Sequence, residues 1–269
     1  MDSGFYAAVN GALRSEMKLE VLTNNLANVN TTGFKADDIT FDSFLTAAGP
    51  EMFPMPTDSF MGLRAPGDVP FPYSNPGSNS YQMTYPMATG TQADLQQGSL
   101  QATGNPLDMA VEGEGFFMVQ TPNGERFTRD GSFTVNQNGE LVNKDGFPVL
   151  GEGGSSLVIG DSAIEVGPDG SIATDAGIIG RIARVSIPPE VLKKEGQNLY
   201  SAPQENVAPV ESGFGGIRQG FLEGSNSDSI RGMTQMVETH RAYDTYMKMI
   251  KALDGLDGQA TNQIGRLNG

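Results

Sequence analysis

The two ends of this chain carry apolar side chains at a helical repeat, and that pairing constrains the fold more than any other feature. Near the start, Phe5, Ala12, Leu19 and Leu26 recur every seven residues. Ala8, Leu22 and Val29 occupy the companion positions, with Ser15 as the one polar member. Such a stripe predicts a helix from Ser3 to about Asn28 that buries a narrow seam against another helix. Ser3 is the expected N-cap, and no proline interrupts the run. Alone in water a helix of this length, about 39 Å, is marginal, so its stability has to come from a partner seam. At the other end Ile230, Met233, Val237, His240, Tyr243, Met247, Ile250 and Leu253 step by three or four residues, with Asn226 or Ser227 as the expected cap. Gly255 and Gly258 predict a weak point near residue 255, beyond which Ile264 and Leu267 form a short second stripe. Two such seams close on each other, parallel or antiparallel, or are buried against other copies of the chain. The pattern fits all of these.

Between the ends the period changes. Thirty-five glycines and 16 prolines among 269 residues disfavour an all-helical bundle. The dipeptides Asn123-Gly124, Asp130-Gly131, Asn138-Gly139 and Asp145-Gly146 follow one another at intervals of seven, eight and seven residues. Asn-Gly and Asp-Gly tolerate positive φ and are strong hairpin turns. Between them lie β-favouring runs, Phe116 to Gln120, Arg126 to Thr128, Ser132 to Val135, Glu140 to Val142 and Phe147 to Leu150. Further strands are expected at Leu157–Ile159, Ile164–Val166 and Ile182–Ile187, with Asp169-Gly170 as another turn. The fold class read from these patterns is α+β: N- and C-terminal helices paired like a coiled coil, and a central, mostly antiparallel β domain.

Residues 36–92 follow neither period. Phe41, Phe44 and Leu45 make one short amphipathic piece, after which Pro50, Pro54, Pro56, Pro66, Pro70, Pro72, Pro76 and Pro86 exclude long helices and central strands. The aromatic residues Phe53, Phe60, Phe71, Tyr73, Tyr81 and Tyr85 point to an ordered extended arm rather than a floppy linker. Four segments result: 1–35, the arm 36–92, a β-rich domain 93–223, and 224–269.

Composition bears on function by exclusion. The chain has no Cys and one His, so thiolate, Cys-zinc, iron–sulfur and disulfide chemistry are ruled out, and no cofactor is expected. His240 has no second His to share a metal and no nucleophile motif to serve, and reads as structural. The net charge of −15 is concentrated in the middle: residues 1–35 are neutral, 36–228 carry −16, and 229–269 carry +1. Such a surface repels phosphate backbones, so no nucleic-acid partner is expected. No basic n-region with an apolar core opens the chain, and no run approaches the roughly 20 residues of a spanning helix, so neither a cleavable signal nor membrane insertion is expected. Cytosolic residence and signal-less export fit equally. Phosphate-loop and dinucleotide motifs are absent, since Gly151-Glu152-Gly153-Gly154 lacks the strand–turn–helix context. Thr134, Asn136, Asn138 and Gly139 faintly echo a calcium loop, but a hairpin turn explains them better. Glu112 and Glu114 could share one face of a strand as a hydrolase pair does, yet nothing fixes their separation. No enzyme is expected.

The segment Asn24-Asn25-Leu26-Ala27-Asn28-Val29-Asn30-Thr31-Thr32-Gly33-Phe34-Lys35 resembles the N-terminal signature of bacterial flagellar axial proteins, the rod, hook and hook-associated subunits. Gly224-Ser225-Asn226, followed by Met236-Val237-Glu238-Thr239-His240-Arg241-Ala242-Tyr243, resembles their C-terminal signature, with His240 where relatives usually carry Gln. A central run resembles them too: Gly113 to Phe117, Thr128 to Phe133, and Asp145-Gly146. One β domain and the tail from Asp254 through Asn262 look like a rod subunit, more like the proximal than the distal branch. The resemblance implies helices packed as the inner wall of a hollow tube, with the β domain outside. It also implies other rod subunits and further copies as partners, export by the flagellar type III apparatus, and residence in the basal body. The two apolar stripes would then be assembly seams. The tract 50–92 matches no part of the signature. A β-rich binding protein whose helices trimerise is the reading from a different class.

Overall fold

The computed structural model describes residues 2–47, 82–160, 163–175, 177–210 and 215–267. Helix α1 spans Asp2–Ala27. Because it already includes Asp2, Ser3 lies inside its first turn rather than at the cap. The chain then leaves in a β-ribbon, β1 (Asp37–Ala47) against β2 (Gln82–Ala93), antiparallel from Asp37↔Ala93 to Ala47↔Gln82. Pro86 sits in β2 opposite Ser43. A two-stranded ribbon has two open edges, and an edge is where a strand tolerates proline. The expected arm is thus a paired ribbon where it is described; Pro50 through Pro76, with Phe53, Phe60, Phe71, Tyr73 and Tyr81, lie outside the described residues.

The β domain follows with short strands: β3 (Leu100–Ala102), β4 (Met109–Glu112), β5 (Phe116–Thr121), β6 (Gly124–Thr128), β7 (Thr134–Val135) and β8 (Leu141–Val142). After these come β9 (Glu165–Val166), β10 (Ser171–Thr174), β11 (Gly177–Arg181), β12 (Arg184–Ser186), β13 (Lys193–Gly196), β14 (Leu199–Ser201), β15 (Ala208–Pro209), β16 (Gly216–Gln219) and β17 (Phe221–Glu223). The largest sheet has the order β13-β14-β6-β5-β12-β15, and every pairing in it is antiparallel. Alternation along β5 serves two cores. Phe117 and Val119 point into the main one with Met109, Val111, Phe133 and Leu141, while Phe116 packs with Phe127, Val185 and Tyr200 on the other side. Phe117 meets Phe133 edge to face at 5.1 Å.

Asn123-Gly124, Asn138-Gly139, Asp145-Gly146 and Asp169-Gly170 each close a hairpin or bridge, with the glycine at positive φ. Asp130-Gly131 is the exception. The Gly131 carbonyl accepts the Met109 N–H at 2.9 Å, and a Cβ on this glycine would lie 1.5 Å from the Met109 carbonyl oxygen. Its missing side chain serves close backbone approach, a use that the dipeptide alone does not distinguish from a turn. The expected strands at 147–150 and 157–159 are isolated bridges, Val119↔Val149, Leu150↔Ser156 and Glu140↔Val158, because successive residues pair with different neighbours in a tightly coiled meander.

Helix α2 runs unbroken over Ser229–Leu267, straight through Gly255 and Gly258. Two glycines cost about 1 kcal/mol each relative to Ala, too little to break a helix flanked by good helix formers. Ile264 and Leu267 belong to it, but their side chains are outside those described. Its cap is Asp228, whose Oδ1 accepts the N–H groups of Ile230 and Arg231 at 2.9 and 3.1 Å. Asn226 and Ser227, the expected caps, sit too early, and Asn226 is occupied elsewhere. The helices are antiparallel: Asn226 accepts from Ala36 beyond the end of α1, while Gly11, near its start, lies under Tyr246. A Cβ on Gly11 would come within 2.4 Å of that ring, so this glycine sets the helix spacing. Counting outward from the contact puts Asp2 opposite about residue 255, and α2 projects beyond α1.

A candidate assembly site where the helical pair meets the β domain

The N-terminal stripe divides by burial. Ala8, Ala12, Ser15 and Leu22 are buried, Leu19, Leu26 and Val29 are half-buried, and Phe5 is exposed. Ser15 is accommodated because its hydroxyl donates back to the Gly11 carbonyl at 2.9 Å. The C-terminal stripe divides along its length. Ile230, Met233 and Val237 are 77%, 55% and 53% exposed, and His240 faces outward beside Asp244 at 3.4 Å. Tyr243, Met247, Ile250 and Leu253 are half-buried, whereas Thr239 is buried, alone among the described side chains of α2. Small and polar residues, Ala8, Gly11, Ala12, Ser15 and Thr239, therefore line much of the intramolecular seam, together with Leu22 and the Tyr246 ring. Phe5, Tyr6, Leu13 and Met17 on α1, with Ile230, Met233, Val237, Met249 and Leu256 on α2, remain uncovered in the single chain.

The segment 24–35 lies on a different part of the molecule, mostly beyond this seam. Asn25 makes a two-way bond with the Asp37 backbone, its Nδ2 donating to the carbonyl at 2.8 Å and its Oδ1 accepting the N–H at 2.9 Å. Asn28 Nδ2 donates to the Asn24 carbonyl at 2.9 Å and its Oδ1 accepts from Thr31, closing the helix end just past Ala27. Asn30 is exposed. Thr32 donates to Asp130 at 3.1 Å, and its carbonyl accepts from Asn198 at 2.8 Å. Gly33, at φ +69°, donates to the Glu223 carbonyl at 2.7 Å and lies directly on the Arg129–Asp130 backbone, where no Cβ fits. Phe34 is buried under Lys194, whose ammonium stands 4.4 Å from the ring and pairs with Asp37 at 2.8 Å. Asn226 answers from the C-terminal side: its Oδ1 accepts the Ala36 N–H at 2.7 Å and its Nδ2 donates to the Asp94 and Gln96 carbonyls.

Lys35 ends the segment and is fully buried. Its Nζ donates to Glu223 Oε1 at 2.6 Å and to the Gln96 carbonyl at 2.7 Å. Glu223 Oε1 also accepts the Gly98 N–H at 3.0 Å, while Oε2 pairs with Arg129 at 3.2 Å. Arg129 donates further to the Gly113 carbonyl at 2.9 Å and stacks 5.1 Å from Phe116, and its Nε has no partner. Two cations thus share one carboxylate out of reach of water. Burial pushes the Lys35 ammonium and the Arg129 guanidinium below their usual ranges against the pull of Glu223, and burial raises the neighbouring Tyr200 phenol. Arg129 lies within the central run that resembles the axial proteins, but nothing in that string assigns it a partner. Glu223, Lys194 and Asn198 carry no sequence signal at all.

The site has no reactive geometry. Glu112 ends β4, Gly113 turns at φ +86°, and Glu112 pairs loosely with Arg218 at 3.9 Å, so Glu112 and Glu114 do not share a strand face. Asn136, in the faint calcium echo, is spent on a turn, its Oδ1 accepting from Asn138 and Glu140. No group of acidic or His side chains among the described residues is placed to hold a metal, and no helix among them is long and apolar enough to cross a membrane.

Three stretches match known families in order. Residues 5–35 match the flagella basal body rod protein family, 110–178 the D1 domain of flagellar hook protein FlgE/F/G, and 218–264 the C-terminal region of flagellar basal body rod FlgEFG proteins. The chain is 34% identical to flagellar basal-body rod protein FlgF of Caulobacter vibrioides, with both chains covered completely. It is 30% identical to FlgF of Rhizobium meliloti, over 98% of this chain and 99% of that one. Flagellar basal-body rod protein FlgG of Bacillus subtilis is 31% identical over 96% of this chain and 97% of its own length.

Proposed function

This chain belongs to the flagellar basal-body rod protein family, whose members are structural subunits, and on that premise we propose that it builds the proximal rod. What supports the proximal assignment is the 34% identity to FlgF of Caulobacter vibrioides over the whole of both chains, against 31% to FlgG of Bacillus subtilis. Membership implies assembly with other rod subunits. The apolar residues left uncovered on α1 and α2 supply the surface for it: Phe5 and Met17 on one helix, Ile230, Met233 and Val237 on the other, are positions that helices of neighbouring subunits would cover. Contacts of this kind, repeated head to tail without closing, generate a helical shaft. Copies of the chain and homologous rod subunits are the proposed neighbours. The type III export apparatus, reading no cleavable signal, is the proposed route. The work of the assembled protein is mechanical: it transmits torque and encloses the channel through which later subunits pass.

The test is deletion of the gene, scored by swimming and by electron micrographs of isolated basal bodies. Non-motile cells with membrane rings and no complete rod support a rod subunit, and label confined to the rod's inner segment supports the proximal position. Label spread along the outer segment would move the chain to the distal rod. Motile cells with intact rods would overturn the proposal.

A further inference from the structure

The geometry points to a coupling element: Lys35, Glu223 and Arg129 lock the angle between the helical pair and the β domain, so that the two turn as one body under load. The mechanical part of this inference rests on the proposed rod function. The chain leaves α1 through 28–36 into the β1/β2 ribbon, enters the β domain through 94–99, and returns from β17 to α2 through 224–228. Glu223, the last residue of β17, ties the segment after α1 to the β domain at the point where the chain turns back towards α2. One carboxylate oxygen takes the N-terminal passage through Lys35, the other takes Arg129, and its backbone carbonyl takes Gly33. Asn226 then ties the C-terminal passage to Ala36 and Asp94.

Apolar packing resists separation, but the hydrophobic effect behind it is non-directional, so it fixes the register between two surfaces less sharply than paired charges do. Buried charge-assisted hydrogen bonds behave differently. A shift of an ångström or two along the interface leaves an ion desolvated and unpaired, and with one carboxylate for two cations no second register repairs the loss. Compared with well-packed apolar residues, a buried ion cluster contributes little net stability. What it adds at this junction is a fixed geometry.

Lys35→Met is the clean perturbation, because it removes one link while leaving Glu223 paired with Arg129 inside the β domain. The natural chain contains no cysteine, so cysteines placed at exposed Glu20 on α1 and exposed Glu190 on the β domain carry spin labels without background. In the full purified chain the expected result is one narrow label-to-label distance for the parent, lost to a broad distribution in Lys35→Met. Amide exchange of β5 and β6 should stay as slow as in the parent. An unchanged narrow distance overturns the coupling role. So does loss of protection in β5 and β6, since the Glu223–Arg129 pair must hold the β domain by itself. In cells carrying Lys35→Met as the only copy, rods should assemble and swimming should fail selectively as medium viscosity rises; parental speed at every viscosity overturns the mechanical part. The distance measurement uses no flagellum, so it decides the coupling role even if the rod function fails its own test.

Discussion

Glu223→Gln keeps the shape of the side chain and deletes the carboxylate that is hydrogen-bonded to both buried cations. Lys35 and Arg129 are 1% and 3% exposed, and the carboxylate is 0% exposed, so water cannot stand in for it. Breaking a buried pair from one side costs about 3–5 kcal/mol, and here both Lys35 and Arg129 are stranded. For a protein of this size a loss of 1 kcal/mol lowers the melting temperature by roughly 2–4 °C, which gives a fall of about 6–20 °C. Lys35→Met leaves a neutral Glu223–Arg129 pair and loses only charge-assisted bonds, about 1.5–3 kcal/mol before any gain from the apolar replacement. The two changes should therefore not add. In the double variant the second substitution removes one of the stranded cations, so it should melt above Glu223→Gln alone, with a coupling of about 0.5–3 kcal/mol. Circular-dichroism melts of the four proteins under identical buffer decide the matter. A double variant melting at or below Glu223→Gln would refute the argument that excess buried positive charge controls this site.

Gly131→Ala should destabilise the β domain by about 1–3 kcal/mol or more, since its Cβ meets the Met109 carbonyl, whereas Gly153→Ala, whose Cβ would find only Ser155 Oγ at 4.0 Å and whose φ is not positive, should cost less; urea melts compare them directly. Asp228→Ala should cost about 1 kcal/mol and fray the start of α2, seen as faster amide exchange at Ile230 and Arg231. Leu22→Asp places a charge in the buried seam and should loosen the helix pair in the free chain by several kcal/mol, read as a lower melting temperature. Val237→Asp, on the uncovered face, should leave the purified chain's melt unchanged while blocking its incorporation into rods, and normal incorporation would remove that face from the assembly surface.

The heptad stripes, the hairpin dipeptides and the change of period between ends and centre made the α+β class readable from the sequence. These are local signals: a residue three, four or two places away decides them, and no distant partner is needed. The match of segment 24–35 to the axial-protein signature was legible in the same way, as a string. What that string does was not. Asn28 and Thr31 close the helix end, Asn25 holds the start of the ribbon, Thr32 and Gly33 fasten the segment to the β domain, and its last residue, Lys35, finds Glu223 across 188 positions of sequence. Chain pattern also could not tell that Gly131 serves backbone approach while Gly139 serves a turn, or that Asp228 rather than Asn226 caps α2. Nor could it tell which half of each stripe faces inward. The heptad repeat guarantees that Ile230, Met233 and Val237 share a face, but the antiparallel pairing set by Gly11 and Tyr246 leaves that face open. Periodicity fixes which side chains point the same way. Only the packed structure decides what they meet, because burial and charge pairing depend on segments that the chain brings together from far apart.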